Sequence, residues 1–177
     1  LRFEGGEPDA VYISDERITA RETHLTDPLP SLLNIMLVLV LVLLNGFFVA
    51  AEFAMVKIRS SRLETLVDEG NKRARFAQSI VNNLDAYLSA CQLGITLASL
   101  GLGWIGEPAI AELIRPVFAA LGVNNEIVIH SVSIAIAFIV ITILHIVLGE
   151  LAPKSLAIRK AEVVTLWTAA PMLLFHK

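Results

Sequence analysis

Three long apolar segments constrain this chain more than any other feature of its sequence. They cover residues 32–56, 87–106 and 127–149, and the last two contain no Asp, Glu, Lys or Arg. Each has at least the roughly 20 residues that a helix needs to cross about 30 Å of hydrocarbon. A hydrophobic content of 55% agrees with this interpretation. The sequence therefore predicts an all-α membrane protein with three transmembrane helices in a lipid bilayer.

Basic residues between the apolar segments predict how the chain is oriented. The connector 57–86 is rich in Lys and Arg, whereas residues 107–126 contain Arg115 as their single basic residue. Lys154, Arg159 and Lys160 follow the third segment. Short loops with Lys and Arg favour the cytoplasmic side. We therefore expect a multi-pass protein of the plasma membrane, with an extracytoplasmic N-terminus and a cytoplasmic C-terminus.

The two ends of the chain differ in character. Residues 1–31 are rich in Gly, Pro and acidic residues, which predicts a polar extracytoplasmic tail or linker with a short strand at residues 10–14. Residues 163–177 are apolar but too short for a comfortable span, which predicts a juxtamembrane helix. Because the chain starts with Leu1 and not Met, we expect it to be a piece of a longer protein. A single cysteine, Cys91, excludes a disulfide framework.

The basic connector 57–86 has helical periodicity of its own. Its apolar residues recur at three- and four-residue intervals, and Gly70-Asn71 predicts a break between two short amphipathic helices. Such helices lie on anionic lipid headgroups or pack on a cytoplasmic domain, and the sequence does not choose between these two. It has no basic pattern with interleaved aromatic residues, so we expect no nucleic-acid partner.

Polar side chains within the apolar segments are the first candidates for a functional site. In the first segment, Asn45 and Glu52 share approximately one helix face, and Glu52 either lines a cavity or reaches interfacial water. In the second, a polar stripe recurs at intervals of three and four residues; it consists of Ser89, Gln92, Thr96 and Ser99. Such a stripe faces a wet cavity or forms plain helix contacts. His145, in the third segment, is more typical of a hydrogen-bonded structural residue than of a ligand.

The stretch GELAPK at residues 149–154 ends the third segment in an unusual way. Pro153 has no N–H group and its ring clashes with the carbonyl group of Gly149, which predicts a broken helix near residues 149–153 with free carbonyl oxygens. These oxygens beside the Glu150 carboxylate suit Mg²⁺, Ca²⁺ or Na⁺. The alternative is an ordinary helix C-terminus at which Lys154 meets lipid headgroups.

Three motifs in this order resemble one known family. They are NGFFVAAEFA at residues 45–54, LSACQLGITL at residues 88–97 and GELAPK at residues 149–154. Together they are similar to the transmembrane domain of the CNNM/CorC family, in its bacterial hemolysin-like branch, from about residue 32 onward. The resemblance implies a domain at residues 32–177 that pairs into a homodimer. It also implies Mg²⁺ efflux coupled to Na⁺ entry, and cytoplasmic CBS and terminal domains beyond residue 177.

The resemblance also implies a set of ion ligands. Gly149 and Glu150 match the family's Gly-Glu-x-x-Pro-Lys motif directly. Val49 stands where a serine is common in the family, and Ile95 lies where asparagines are common, so we assign Asn45, Thr96 and Ser99 as substitute ligands. Glu52 completes the candidate set. The bound or transported ion would be Mg²⁺, with Na⁺ as a second ion.

Two classes of function follow from the sequence. The first is a divalent-cation transporter with its site near Glu150. The second is a membrane scaffold or sensor that supports other membrane proteins without moving ions. An enzyme is not expected, because the sequence shows no triad spacing and no zinc motif.

Overall fold

The computed structural model describes residues 28–122 and 125–176. The strand predicted at residues 10–14, and most of the tail predicted at residues 1–31, lie outside this range. The regular structure of the described residues is entirely helical. The elements are α1 (Pro28–Lys57), α2 (Ser60–Asp68), α3 (Lys72–Val81), α4 (Leu84–Ala120), α5 (Glu126–Leu144), a π-helical segment (His145–Leu151), α6 (Ala152–Arg159) and α7 (Ala161–His176).

Three helical stretches are long and apolar enough to cross a membrane. They are Leu32–Lys57, Leu84–Phe118 and Glu126–Arg159. The all-α fold class with three spans and additional short helices is thereby confirmed. We call the end of the bundle that carries α2 and α3 the basic end, and the end where α4 gives way to α5 the opposite end.

Two of the helices extend beyond the boundaries that the sequence indicated. Helix α4 continues past residue 106 to Ala120 and includes Pro108 and Pro116. Each proline removes one backbone donor, but apolar residues continue on both sides of it, and their packing on α5 keeps the segment helical. The third span also stays helical through Pro153, and the helix ends at Lys160, where φ is −129° and ψ is 45°. The break predicted near residues 149–153 takes the form of a π-helical turn.

Helix α1 lies at the centre of the domain. Its buried residues take part in three apolar clusters, of which the largest joins it to α2, α3, α4 and α7 around Phe48 and Met55. A second cluster packs Val42 of α1 against Leu102 of α4 and Ile141 of α5. The third joins α1 to α6 and α7. Helices α4, α6 and α7 and the π-helical segment are therefore positioned by direct contact with α1, whereas α5 packs chiefly on α4.

The predicted break between the two short helices is present at Gly70-Asn71. Gly70 has a φ of +84°, which a residue with a side chain rarely adopts. Asn71 then caps α3, because its side-chain oxygen accepts hydrogen bonds from the backbone N–H groups of Arg73 and Ala74. The pair thus lies between the end of α2 and the start of α3.

The apolar faces of α2 and α3 pack within the domain itself. Leu63 and Ile80 are almost fully buried in the cluster that contains Met55 and Met172. An ion pair of 2.9 Å between Arg62 and Glu162 links α2 to α7 on the surface, and the Glu162 carboxylate raises the pKa of Arg62. The apolar faces of these short helices therefore pack against α1, α4 and α7, and their charged faces point outward.

Helix α4 offers a test of its packing against α1. A Cβ atom added at Gly94 would lie 2.6 Å from the Phe48 ring, whereas one added at Gly103 meets nothing within 4 Å. Because overpacking forces side chains and backbone to shift, Gly94→Ala should lower the free energy of unfolding by about 1–3 kcal/mol. The matched variant Gly103→Ala should leave it unchanged or raise it. Thermal unfolding in detergent micelles measures both, and equal stability of the two variants would contradict this packing.

Candidate cation-binding site

A cluster of polar groups lies where α1, α4 and the π-helical segment meet. It consists of the side chains of Asn45, Ser99 and His145 and the carbonyl group of Gly149. Asn45 is only 1% exposed, and its Nδ2 atom donates a hydrogen bond of 3.0 Å to the carbonyl oxygen of Gly149. Ser99 Oγ donates to Asn45 Oδ1 at 3.3 Å. We call these four residues the core polar cluster.

Pro153 explains why the Gly149 carbonyl group is available to this cluster. In a regular α-helix the carbonyl group of residue 149 would accept a hydrogen bond from the N–H group of residue 153, and proline has none. The helix widens to π geometry over His145–Leu151, a local irregularity that recurs at functional sites. The side chain of Asn45 provides the missing donor from a different helix. The sequence-based expectation of a freed carbonyl group at Gly149 is therefore met, and its partner is now identified.

Two glycines allow α1 and the π-helical segment to approach each other this closely. A Cβ atom at Gly46 would lie 2.9 Å from Pro153 Cγ and 3.2 Å from the carbonyl oxygen of Leu148. A Cβ atom at Gly149 would lie 3.0 Å from both Asn45 Nδ2 and His145 Cδ2. Side chains at these positions would push the helices apart. The glycines thus keep the amide of Asn45 within hydrogen-bonding distance of the backbone.

The hydrogen bonds of the cluster also define the role of His145. Its Nε2 atom lies 3.0 Å from Asn45 Nδ2 and 3.2 Å from Ser99 Oγ. Since an amide nitrogen can only donate, Nε2 accepts from Asn45, which requires the imidazole proton on Nδ1; Ser99 Oγ has one proton and gives it either to Asn45 Oδ1 or to Nε2. The four groups thus satisfy one another within the chain. The two ends of the Asn45 amide thus link Ser99 Oγ, through Oδ1, and the Gly149 carbonyl oxygen, through Nδ2.

The structure brings together only part of the predicted ligand set. Asn45, Ser99 and Gly149 meet in the core polar cluster, whereas Thr96 is exposed and its Oγ1 donates to the Gln92 carbonyl group of its own helix at 2.8 Å. Glu150 is also exposed, on the outer side of the π-helical segment.

Glu52 lies apart from the core polar cluster, toward the basic end. It is partly buried, next to Gln92 of α4 and Lys154 of α6. It follows Asn45 by seven residues, which corresponds to about 10 Å along the helix. Lys154 also lies 4.4 Å from the centre of the Phe53 ring. Glu52 therefore has polar and charged neighbours within the domain and is not a carboxylate that faces lipid.

His145 is the member of the cluster that sequence reasoning did not select as a ligand. It precedes Gly149 by four residues, so the two lie on one face of the helix. This spacing from the Gly-Glu-x-x-Pro-Lys motif was the signal that could have identified it. In the structure His145 contacts the side chains of Asn45 and Ser99, both of which the sequence had indicated as ligands.

A cavity extends from the cluster between α4 and α5. Its volume is about 220 Å³, and Ser99 and His145 form the wall nearest to the cluster. Glu107 and Thr142 add polar groups farther toward the opposite end. The core polar cluster therefore adjoins a mostly apolar cavity with a few polar groups, through which an ion or water could reach it.

Comparison with known proteins decides the family. The model of the cyclin M (CNNM) transmembrane N-terminal domain matches residues 35–177. This chain belongs to the CNNM/CorC family. The match contains every residue of the core polar cluster, so the domain that the family model describes is the one that holds the cluster.

Several bacterial relatives support the assignment to the CNNM/CorC family. The UPF0053 protein YhdT of Bacillus subtilis is 53% identical over 81% of this chain, and YugS of the same organism is 49% identical over 82%. The UPF0053 protein sll0260 of Synechocystis is 34% identical over 79% of it. The chain spans about a third of the length of these relatives, since the matches cover 31–34% of them. It is thus a multi-pass CNNM/CorC membrane domain.

The cluster predicts different roles for two neighbouring hydroxyl groups of α4. Ser99→Ala removes contacts between helices, so it should lower the free energy of unfolding in micelles by about 0.5–2 kcal/mol. Thr96→Val removes a hydrogen bond within one helix at an exposed position, and its effect should stay within about 0.5 kcal/mol. Denaturation in mixed micelles measures both. If Thr96→Val were as destabilising as Ser99→Ala, the cluster would not be the polar contact that joins these helices.

Proposed function

We propose that this CNNM/CorC domain is the transmembrane part of a divalent-cation transporter, with Mg²⁺ as its substrate. The observation that carries the proposal is the polar contact between three helices in which the buried Asn45 amide bonds both to Ser99 Oγ and to the Gly149 carbonyl oxygen. Oxygen atoms are the ligands that Mg²⁺ prefers. Irregular backbone at membrane depth is tolerated where it is buried in protein or lines a cavity; in the π-helical segment Gly149 is buried and His145 lines the cavity beside the cluster.

Ion binding would replace the hydrogen bonds that hold the cluster together. The Asn45 amide now donates to the Gly149 carbonyl group; when a cation enters, the amide turns so that its oxygen and the carbonyl oxygen both face the ion. Ser99 Oγ can coordinate the ion from its present position on α4. The remaining ligands are waters from the cavity between α4 and α5, because Mg²⁺ gives up its waters reluctantly.

The exposed Glu150 carboxylate supports the proposal that the domain works as a homodimer. An ionisable residue within a membrane span almost always faces the protein interior or a water-filled cavity. Glu150 is exposed in the single chain. A second copy that packs on this face would enclose the carboxylate and place its charge beside the carbonyl group of Gly149. Glu150 would then compensate the charge of the ion from the edge of the site.

The direction of transport follows from the family resemblance and the loop charges. In this proposal the basic end is cytoplasmic, so Glu52 and Gln92 lie on the cytoplasmic side of the cluster and Glu107 lies on the extracytoplasmic side. The N-terminus is then extracytoplasmic and the protein resides in the plasma membrane. Mg²⁺ leaves the cell as Na⁺ enters, since the same hard oxygen ligands suit both ions. Cytoplasmic CBS domains of the full-length protein would regulate this exchange.

A specific observation favours a second function, that of a membrane scaffold or sensor that moves no ions. The four groups of the core polar cluster already satisfy one another. Among residues 28–122 and 125–176, no three His, Cys, Asp or Glu side chains are grouped so that they could hold a metal ion. Under this alternative the cluster is a structural contact that fixes α1 against the π-helical segment.

Flux through proteoliposomes distinguishes the two functions. The full-length protein that contains this domain should release Mg²⁺ to a fluorescent indicator, and faster when an opposing Na⁺ gradient is applied. Ser99→Ala and Glu150→Gln should each slow the flux by about tenfold or more, because each removes a ligand or a compensating charge. Thr96→Val is the matched control and should transport at the wild-type rate.

The contrary result is equally clear. Absence of flux from well-folded wild-type protein, under either gradient, would refute transport and favour the scaffold. Wild-type flux in Ser99→Ala would retain transport but refute the core polar cluster as its site.

A further inference from the structure

A second cavity, lined by both apolar and polar residues, lies between α4 and α5 at the opposite end of the bundle. Its volume is about 320 Å³, and its polar lining comprises Glu107, Glu112, Arg115, His130 and Ser133. We call it the outer cavity. It shares Glu107 with the smaller cavity that adjoins Ser99 and His145. About eight residues of helix, or roughly 12 Å, separate Glu107 from Ser99.

Ser133, in the lining of the outer cavity, has a buried hydroxyl group without a hydrogen-bond partner among the described residues. The residue is 2% exposed, and its Oγ atom makes no hydrogen bond with any described residue. A buried hydroxyl group without a partner costs free energy, and such groups in native proteins normally contact ordered water or an ion. Because Ser133 lines the cavity, a hydrated ligand there would satisfy it.

The charges around the outer cavity favour a cation. Glu107 and Glu112 contribute two carboxylates. Arg115 is the single Lys or Arg residue of the lining, and its guanidinium group lies 3.6 Å from the Glu126 carboxylate, which offsets its charge. His130 adds a nitrogen atom that can accept a hydrogen bond. The lining therefore carries a net negative charge beside an unsatisfied hydroxyl group.

We propose that the outer cavity binds a hydrated divalent cation through its water shell. A cation with six waters fills roughly 200 Å³ at about 30 Å³ per water, so it fits this volume with room for further waters. In the described part of the chain, no three His, Cys, Asp or Glu side chains converge for direct coordination. The carboxylates of Glu107 and Glu112 instead accept hydrogen bonds from the coordinated waters, and the Ser133 hydroxyl group bonds to a water of the shell.

Glu107 gives this site a place in the transport path, and this step rests on the proposed function. Its position in both linings puts it between the outer cavity and the core polar cluster. An ion that loses waters on its way from one cavity to the other passes this carboxylate. The outer cavity then holds the ion with its water shell, and the core polar cluster holds it after it has lost some of these waters.

Hexaamminecobalt(III) is a suitable probe, because it has the shape of a hydrated magnesium ion and does not exchange its ligands. Isothermal titration calorimetry of the domain in nanodiscs should show binding of this ion, in competition with Mg²⁺. Glu107→Gln and Glu112→Gln should each weaken binding about tenfold, since each removes one charge from the lining. The control Asp85→Asn changes an acid at the other end of α4 and should bind as the wild type does.

Two further variants separate this proposal from the transport function. Ser99→Ala alters the core polar cluster alone and should bind hexaamminecobalt(III) with wild-type affinity, whatever its effect on Mg²⁺ flux. Ser133→Ala should raise the melting temperature of the ion-free domain, because it removes an unsatisfied hydroxyl group, and should weaken binding of the probe. Glu112 is exposed, so Glu112→Gln remains informative if Glu107→Gln fails to fold. Wild-type affinity in Glu112→Gln and Ser133→Ala, or no binding by the wild type, would overturn the proposal.

Discussion

The hydrogen bond from the Asn45 amide to the Gly149 carbonyl group is the interaction on which the rest of this domain depends. It joins the central helix to the one segment of the third span that departs from α geometry. The bond exists because Pro153 has no N–H group to donate to the Gly149 carbonyl group, and because Gly46 and Gly149 let the two backbones approach. A buried carbonyl group without a partner is costly inside a membrane, so the π-helical segment needs this amide.

The same bond explains why polar groups from three helices meet in one cluster. Asn45 fixes the faces of α1 and the π-helical segment, and Ser99 adds α4 to the same point. Glu52 and Gln92 form a separate polar contact toward the basic end, and two cavities that share Glu107 lie toward the opposite end. Apolar clusters around Val42 and Phe48 flank the core polar cluster.

Much of the fold could be predicted because it depends on local rules. Span length, the basic loops, the break at Gly70-Asn71 and the carbonyl group freed by Pro153 all follow from composition and backbone chemistry. The far end of α4 could not be placed in the same way. Prolines at 108 and 116 predict an end to a helix in water, whereas packing on α5 keeps this segment helical.

The candidate site was harder to predict, because helical spacing identifies a face and not its neighbour. Thr96 and Ser99 belong to one polar stripe, yet Thr96 bonds to its own helix and only Ser99 reaches Asn45. His145 looked like a lone polar residue until the π-helical segment placed its ring against Asn45. Glu150 was predicted as a ligand from its motif, and in the single chain its side chain is exposed. These differences are set by contacts between helices, which a single sequence does not encode in any local pattern.

The most direct test of the central claim is a high-resolution structure of the full-length protein with Mg²⁺ in a lipid nanodisc. We expect a density peak about 2.1 Å from Asn45 Oδ1, Ser99 Oγ and Gly149 O, with the hydrogen bond between Asn45 and Gly149 broken. An intact hydrogen bond between these two residues, with Mg²⁺ bound elsewhere in the membrane domain, would contradict the central claim.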